Sequence, residues 1–411
     1  MNYILFDDKS RENLLPFTFT RPVGEIRIGI LTIKEKWEKY LNSTVSYKTE
    51  DYLSVKYPIK IEKNNIYINA SVLPNTELVN AIKNLKDNEA LVSDNILIAS
   101  NTKNLENNNC NKIEANAGFL KINNLWDIYS FNGEALIEDY TLLTKNRKSE
   151  ELSSSNNILG KENIFVEKGA KVECAILNAT KGPIYIGKDA EIMEGAVIRG
   201  PFALCNNSTI KLSAKIYGPT TIGPHSKVGG EINNSVIFGY TNKSHDGFLG
   251  NSVIGEWCNI GADSNNSNLK NNYAEVRLWN YNEERFVKTG KQFCGLIMGD
   301  HSKCGINTMF NTGTVVGVFA NIFGAGFPRN FIPDFSWGGV SGFTTYTKPK
   351  AYEVAKLVME RREIEFDNIE KDILDKVFDL TEKHRKSWQL LANYLFGTAI
   401  DYSMLYVISK L

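Results

Sequence analysis

Ile186 to Val228 reads IGKDAEIMEGAVIRGPFALCNNSTIKLSAKIYGPTTIGPHSKV, and a step of six through it meets Ile186, Ile192, Ile198, Leu204, Ile210, Ile216, Ile222 and Val228. Eight aliphatic residues in eight steps is not a chance outcome in a chain that is 42% hydrophobic. The same step passes through Phe248, Ile254 and Ile260, and then through Met298, Cys304, Phe310, Val316 and Ile322. Val166 and Val172 precede it at the same spacing. A period of six fits neither the 3.6 of a helix nor the alternation of an ordinary strand. It fits a chain wound as a triangular prism, in which each hexad gives one short strand and one corner, and three hexads (about eighteen residues) close a coil. The anchors point to the axis, and because one coil cannot bury its own apolar face, stability comes from stacking coil on coil. From about Ile164 to Ile322 the chain is therefore predicted to be a left-handed parallel β-helix of hexapeptide repeats.

The step is lost between Val228 and Phe248 and again between Ile260 and Met298. The second gap, long and polar with aromatic residues, predicts an arm that leaves the prism to reach a neighbouring subunit or close over a site. Residues 1–150 differ: short apolar runs (YILF, IYINA, EALVSDNILIAS) alternate with helical pieces (TIKEKWEKYL, ELVNAIKNLK), which predicts an α/β domain. The Ser- and Asn-rich KNRKSEELSSSNN marks a boundary before the β-helix of residues 151–345. Residues 346–411 carry apolar residues at helical spacing, a helical C-terminal tail.

Lys plus Arg and Asp plus Glu both number 47, so no net field draws nucleic acid or an anionic membrane, and an anionic ligand needs local cations. The six cysteines contain no C-x-x-C pair, and no two of the four histidines stand at metal-ligand spacing. No stretch approaches eighteen apolar residues, so a cytoplasmic protein with reduced thiols and no membrane partner is expected.

Gly229–Asn268, GGEINNSVIFGYTNKSHDGFLGNSVIGEWCNIGADSNNSN, resembles the acetyltransferase half of the bacterial bifunctional enzyme that makes UDP-N-acetylglucosamine. That family carries H-x-x-[aromatic]-L-G followed by I-G-x-x-x-N-I-G-A. His245–Gly250 and Ile254–Ala262 match both segments, with their spacing kept. Leu14–Gly29, LLPFTFTRPVGEIRIG, is more faintly similar to the signature of sugar-nucleotide pyrophosphorylases, and the order of the domains agrees. The resemblance implies an N-terminal nucleotidyltransferase, an acetyl-CoA-dependent β-helix, sugar phosphate and UTP as substrates, and a homotrimer.

By that resemblance His245 is the general base: attack of a sugar amine on a thioester needs a group that accepts a proton near neutral pH, and imidazole titrates there. Phe248 holds the aromatic position of the motif. Lys215, thirty residues before the histidine, matches a phosphate-binding cation, and Asn268 is placed near the sugar or acyl group. A second basic position of the family, twelve residues before the histidine, is Asn233, with Lys243 and Lys270 as nearby alternatives. His225, His301 and His384 lack such a motif and are expected at the surface.

The N-terminal domain departs from the family. A Gly-rich loop that would bring backbone N–H groups against a triphosphate is replaced by Phe6-Asp7-Asp8-Lys9-Ser10-Arg11, and Val23 stands where a lysine is expected. Either Arg11, Arg21 and Arg27 take over nucleotide binding, with Asp94 as a Mg2+ ligand at a strand end, or the domain is a nucleotide- or sugar-binding regulatory module without turnover. In a third possibility the β-helix only oligomerises, and His245 has no chemical role.

Overall fold

The computed structural model describes residues 1–105 and 109–386; the rest of the predicted tail, 387–411, lies outside the described residues. The N-terminal sheet has six strands: β1 (Asn2–Phe6), β2 (Val45–Lys48), β3 (Asn65–Asn69), β4 (Glu89–Ser93), β5 (Ile96–Asn101) and β6 (Asn111–Glu114). Their order is β2-β1-β3-β5-β4-β6, with β2, β1 and β3 parallel and β5 antiparallel to its neighbours. Helices flank it. Ile33–Leu41 starts on a capping box, Thr32 accepting from the Glu35 backbone while Glu35 accepts from that of Thr32. Leu125–Ser130 and Asn132–Thr144 lead toward the second domain.

From Asn157 the chain winds into three parallel sheets of nine, ten and six strands, the ten-stranded one ending in an antiparallel hairpin. This is the left-handed parallel β-helix that the hexads specify. Paired strands keep anchors in register from coil to coil, as in Ile186↔Leu204↔Ile222↔Ile237↔Ile254↔Met298↔Val316. All eight anchors of the first run are at most 1% exposed. Gly223 follows one of them because a Cβ there would stand 1.9 Å from the Phe238 carbonyl oxygen of the next coil.

The first break in the step is a shortening of corners. Only Gly229 and Gly230 join Lys227–Val228 to Glu231–Asn233, so the inward positions become Ile232, Ile237, Lys243 and Leu249. Leu249, not Phe248, is the anchor, and Phe248 faces outward. The second break is the hairpin Arg277–Asn280/Arg285–Lys288. It folds back on its own chain: Trp279 stacks on Phe331 at 4.3 Å, Tyr281 donates to Asp334 at 2.7 Å, and Asn280 donates to Asn13. Leu278 and Tyr281 are buried there, so within this chain the predicted arm is a brace.

The N-terminal domain lies against the outer face of the nine-stranded sheet. Val236, Phe238, Val253, Ile297 and Val315 share one apolar core with Phe17, Val23 and Ile26. Phe17 meets Phe238 at 4.8 Å between ring centroids, and Arg27 Nε donates to the Phe238 carbonyl at 3.0 Å. Of the tail, Lys348–Glu360 and Asn368–Leu380 are helices; the second packs against the N-terminal domain, with Lys56 paired to Glu370.

Candidate functional site

His245 sits on the vertex where the ten-stranded sheet turns into the six-stranded one, in the corner Ser244–Gly247 between Asn242–Lys243 and Phe248–Gly250. In a triangular prism this vertex is opposite the face covered by the N-terminal domain. His245 and Asp246 are exposed. Gly247 turns the chain back with φ 115°, and its Phe248 neighbour donates its backbone N–H to Asn265 Oδ1 at 2.8 Å.

Beside this corner the six-stranded sheet presents its outer face. Lys215, Glu231 and Phe248 lie directly opposite one another on three successive strands, which places Lys215 roughly 10 Å from Phe248 along the ladder. The next outward column holds Tyr217, Asn233 and Gly250, with Tyr217 donating to Glu231 at 2.6 Å. Burial and the adjacent Glu231 push the Tyr217 phenol up to about 12. Asn268 donates to Asn251 at 2.8 Å, and a Cβ on Gly250 would lie 2.6 Å from the Phe248 ring and 2.7 Å from Asn268 Nδ2. The structure thus brings Phe248, three residues after His245, and Asn268 together over Gly250, with exposed Lys215 two coils away. Such a surface offers a base, an aromatic edge, an amide and a cation. Asn265 and Asn266 are strand residues, and the Asn266 side chain both accepts from and donates to the Gly250 backbone.

Of the two alternative lysines, Lys270 donates to the Glu275 carbonyl. Lys243 is 1% exposed, its side chain inside the prism at the level of Val228.

In the N-terminal domain the three arginines are committed to internal partners. Arg11 donates to Thr18 O at 2.8 Å and to the Tyr52 hydroxyl at 2.9 Å. Arg21 is buried between Asp300 and Glu256 of the β-helix. Burial opposes its charge, but the two carboxylates outweigh that and raise the guanidinium well above its ordinary range. Arg27 is buried too, on the carbonyls of Phe238 and Ile30. Asp94 is exposed in the two-residue turn between β4 and β5, where it and Asn95 have φ of 46° and 68°. Conformation alone accounts for those residue types. Among the described residues no three His, Cys, Asp or Glu side chains form a metal-holding group. At the end of β1, where a phosphate loop would stand, are Asp7 and Asp8. Burial pushes Asp7 up to about 6 against hydrogen bonds from Thr49 and Val23. Asp8 is held below its usual range, despite burial, by Ser10, Asn69 and Lys121.

Residues 3–148 match the model of the sugar nucleotidyl transferase family. A bifunctional sugar-1-phosphate nucleotidylyltransferase/acetyltransferase of Sulfurisphaera tokodaii is 29% identical over 145 residues, 35% of this chain and 36% of that one. The bifunctional protein GlmU of Methanocaldococcus jannaschii is 30% identical over 118 residues, 29% of this chain and 26% of that one. The chain thus spans about a third or less of these two relatives' length. The likeness to bifunctional nucleotidyltransferase/acetyltransferases read from the sequence is met in both, at modest identity. A Francisella novicida UDP-N-acetylglucosamine acyltransferase overlays 55% of this chain and 87% of its own at 13% identity and a TM-score of 0.28. The β-helix rests on its strand pairing, independently of that overlay.

Two of the histidines expected at the surface are buried. His301 (6% exposed) belongs to a ladder on the vertex next to the covered face: His225, Tyr240, Trp257, His301, Phe319 and Phe335 stack ring on ring, each with φ between 52° and 60°. Left-handed backbone in non-glycine residues costs about 1 kcal/mol each, and the offset ring contacts help to counter it. Burial, then Lys303, drives the His301 pKa well below its ordinary value. His384 is buried against Trp279, Tyr281 and Phe331, and burial lowers it to about 4. Glu231 and Tyr217 escaped sequence reading, because only strand register shows which residues share a face.

Proposed function

We propose that the β-helix transfers an acetyl group from acetyl-CoA to the amine of an amino-sugar 1-phosphate, with glucosamine 1-phosphate as the first candidate. The observation that carries this is the open corner bearing His245 beside Phe248 and Asn268, with Lys215 on the same face. The neutral amine attacks the thioester carbonyl, His245 accepts its proton, and the carbon–sulfur bond breaks to release the thiol, which takes a proton back. Developing negative charge on the thioester oxygen needs an N–H donor, and Lys215 pairs with the phosphate. On the same vertex Leu212 and Ile306 are 62% and 71% exposed. Apolar side chains so placed support closure of the site by further copies of the chain, a homotrimer. Such substrates belong to the cytoplasm.

The N-terminal domain, by its family match, would join a sugar 1-phosphate to a nucleoside triphosphate, UTP first, with release of pyrophosphate. Mg2+ would arrive with the nucleotide and neutralise its phosphates. Since the domain covers the prism face opposite the His245 vertex, each activity would work from its own opening. A second reading keeps acyl transfer but makes this domain a non-catalytic nucleotide- or sugar-binding module. Commitment of Arg21 and Arg27 to the interdomain contact, and carboxylates at the end of β1, favour it.

Thiol release from acetyl-CoA with and without glucosamine 1-phosphate, beside His245→Ala, tests the first activity. Turnover that needs the amino sugar and collapses in the variant is expected. No turnover in the trimeric wild type would overturn the acceptor assignment. Calorimetric UTP binding without pyrophosphate release would select the module reading, and pyrophosphate release would reject it.

A further inference from the structure

Lys243 occupies an inward position that Val172, Ile192, Ile210, Val228, Ile260, Cys304 and Ile322 fill on other coils. Its strand pairs Val228↔Lys243, and the neighbouring coil supplies Ile260 at that level. Its ammonium donates to three backbone carbonyls: Gly229 at 3.1 Å, His245 at 3.0 Å and Gly247 at 3.0 Å. An ammonium has three N–H donors, so this set is complete. Two of the acceptors lie within the four-residue corner that carries His245, and the third anchors that corner to the preceding coil. An aliphatic anchor would give the His245 carbonyl no donor inside the prism, and the corner would have to turn over to find one in water.

Resting on the reading of His245 as the general base, we infer that Lys243 is a positioning residue that fixes the His245 corner from inside the β-helix. The ammonium contacts no substrate; it sets where the imidazole stands. The side chain available for phosphate binding in the sequence is thereby assigned a different task. Reacting groups displaced by about 1 Å lose on the order of a hundredfold in rate, so loosening this corner acts on turnover more than on binding.

The test uses the full chain with Lys243→Met, which keeps the apolar stem and removes all three donors, and Lys243→Gln, which keeps two. Two readouts are taken: turnover with acetyl-CoA and glucosamine 1-phosphate, and the NMR Cε1–H signal of His245, assigned by its loss in His245→Ala. Lys243→Met is expected to lower kcat at least tenfold while changing KM for acetyl-CoA less than threefold, and to shift or broaden the His245 signal. Lys243→Gln is expected to fall between it and wild type, and carries the test if the methionine variant does not fold. Wild-type kcat together with an unchanged His245 signal in either folded variant overturns the inference. A fully active His245→Ala alongside a displaced His245 signal in Lys243→Met would instead overturn the reading of His245 as the general base and leave the fixing of the corner by Lys243 standing.

Discussion

Arg21→Met is the most informative perturbation of the contact between the two domains. It removes a guanidinium whose side chain is 6% exposed and strands the Asp300 carboxylate, 3% exposed, without its cation. Breaking a buried pair from one side costs about 3–5 kcal/mol. Asp300 retains the Thr20 hydroxyl and the Glu256 N–H at 2.8 Å, which argues for the lower end. The cation–π contact of Arg21 with the Phe238 ring, 5.4 Å to the centroid, is lost too and adds about 0.5–2 kcal/mol. A net loss of about 4 kcal/mol corresponds to roughly a thousandfold change in an opening equilibrium. The assay is native-state amide hydrogen exchange at segments 17–27 and 236–239, whose protection reports that opening directly. A global unfolding curve would mix two domains. Asp300→Asn, and the double variant, complete a cycle in which the pair's coupling is expected at about 2 kcal/mol, so that the double variant is less damaged than the sum of the singles. Protection within threefold of wild type in Arg21→Met, or strict additivity in the cycle, would refute the claim that this ion pair holds the domains together.

His245→Ala is expected to lower kcat of acyl transfer by about 10²–10⁴ with the fold intact, the range for removing a general base; steady-state thiol release measures it. Lys215→Ala should act on the acceptor, raising its KM about tenfold or more, as loss of a charge-assisted hydrogen bond does, while KM for acetyl-CoA stays put. Burial lowers Lys243 from 10.5 to about 8. Between those values the unfolded chain binds more protons than the folded one, so Lys243 makes stability rise with pH from about 8 to 10.5, and the charged form is the destabilising one below 8. The full span is of order 3 kcal/mol. The urea midpoint of wild type should therefore rise relative to that of Lys243→Met as pH increases across this range, and parallel curves would contradict it.

The sequence by itself determined the β-helix, because an anchor every sixth residue is a local pattern that only a stacked prism can bury. The motif around His245 was equally legible, being a matter of residue type at short spacing. Phase was another matter: two shortened corners after Val228 shift the register, so that Phe248 passes outside, Leu249 takes the anchor and Lys243 turns inward. Nothing in the spacing tells an inward lysine from an exposed one; the three carbonyls that accept from it come from two coils. Arg21 and Arg27 read as phosphate ligands until the tertiary fold laid the N-terminal domain on the nine-stranded sheet and gave them Asp300, Glu256 and the Phe238 carbonyl, more than two hundred residues away in the chain. His301 and His384 likewise took their burial from rings on other coils and on the 277–288 hairpin. Sequence fixes what repeats locally. Which side of each strand faces water, and which charge meets which, is decided only when distant segments exclude solvent between them.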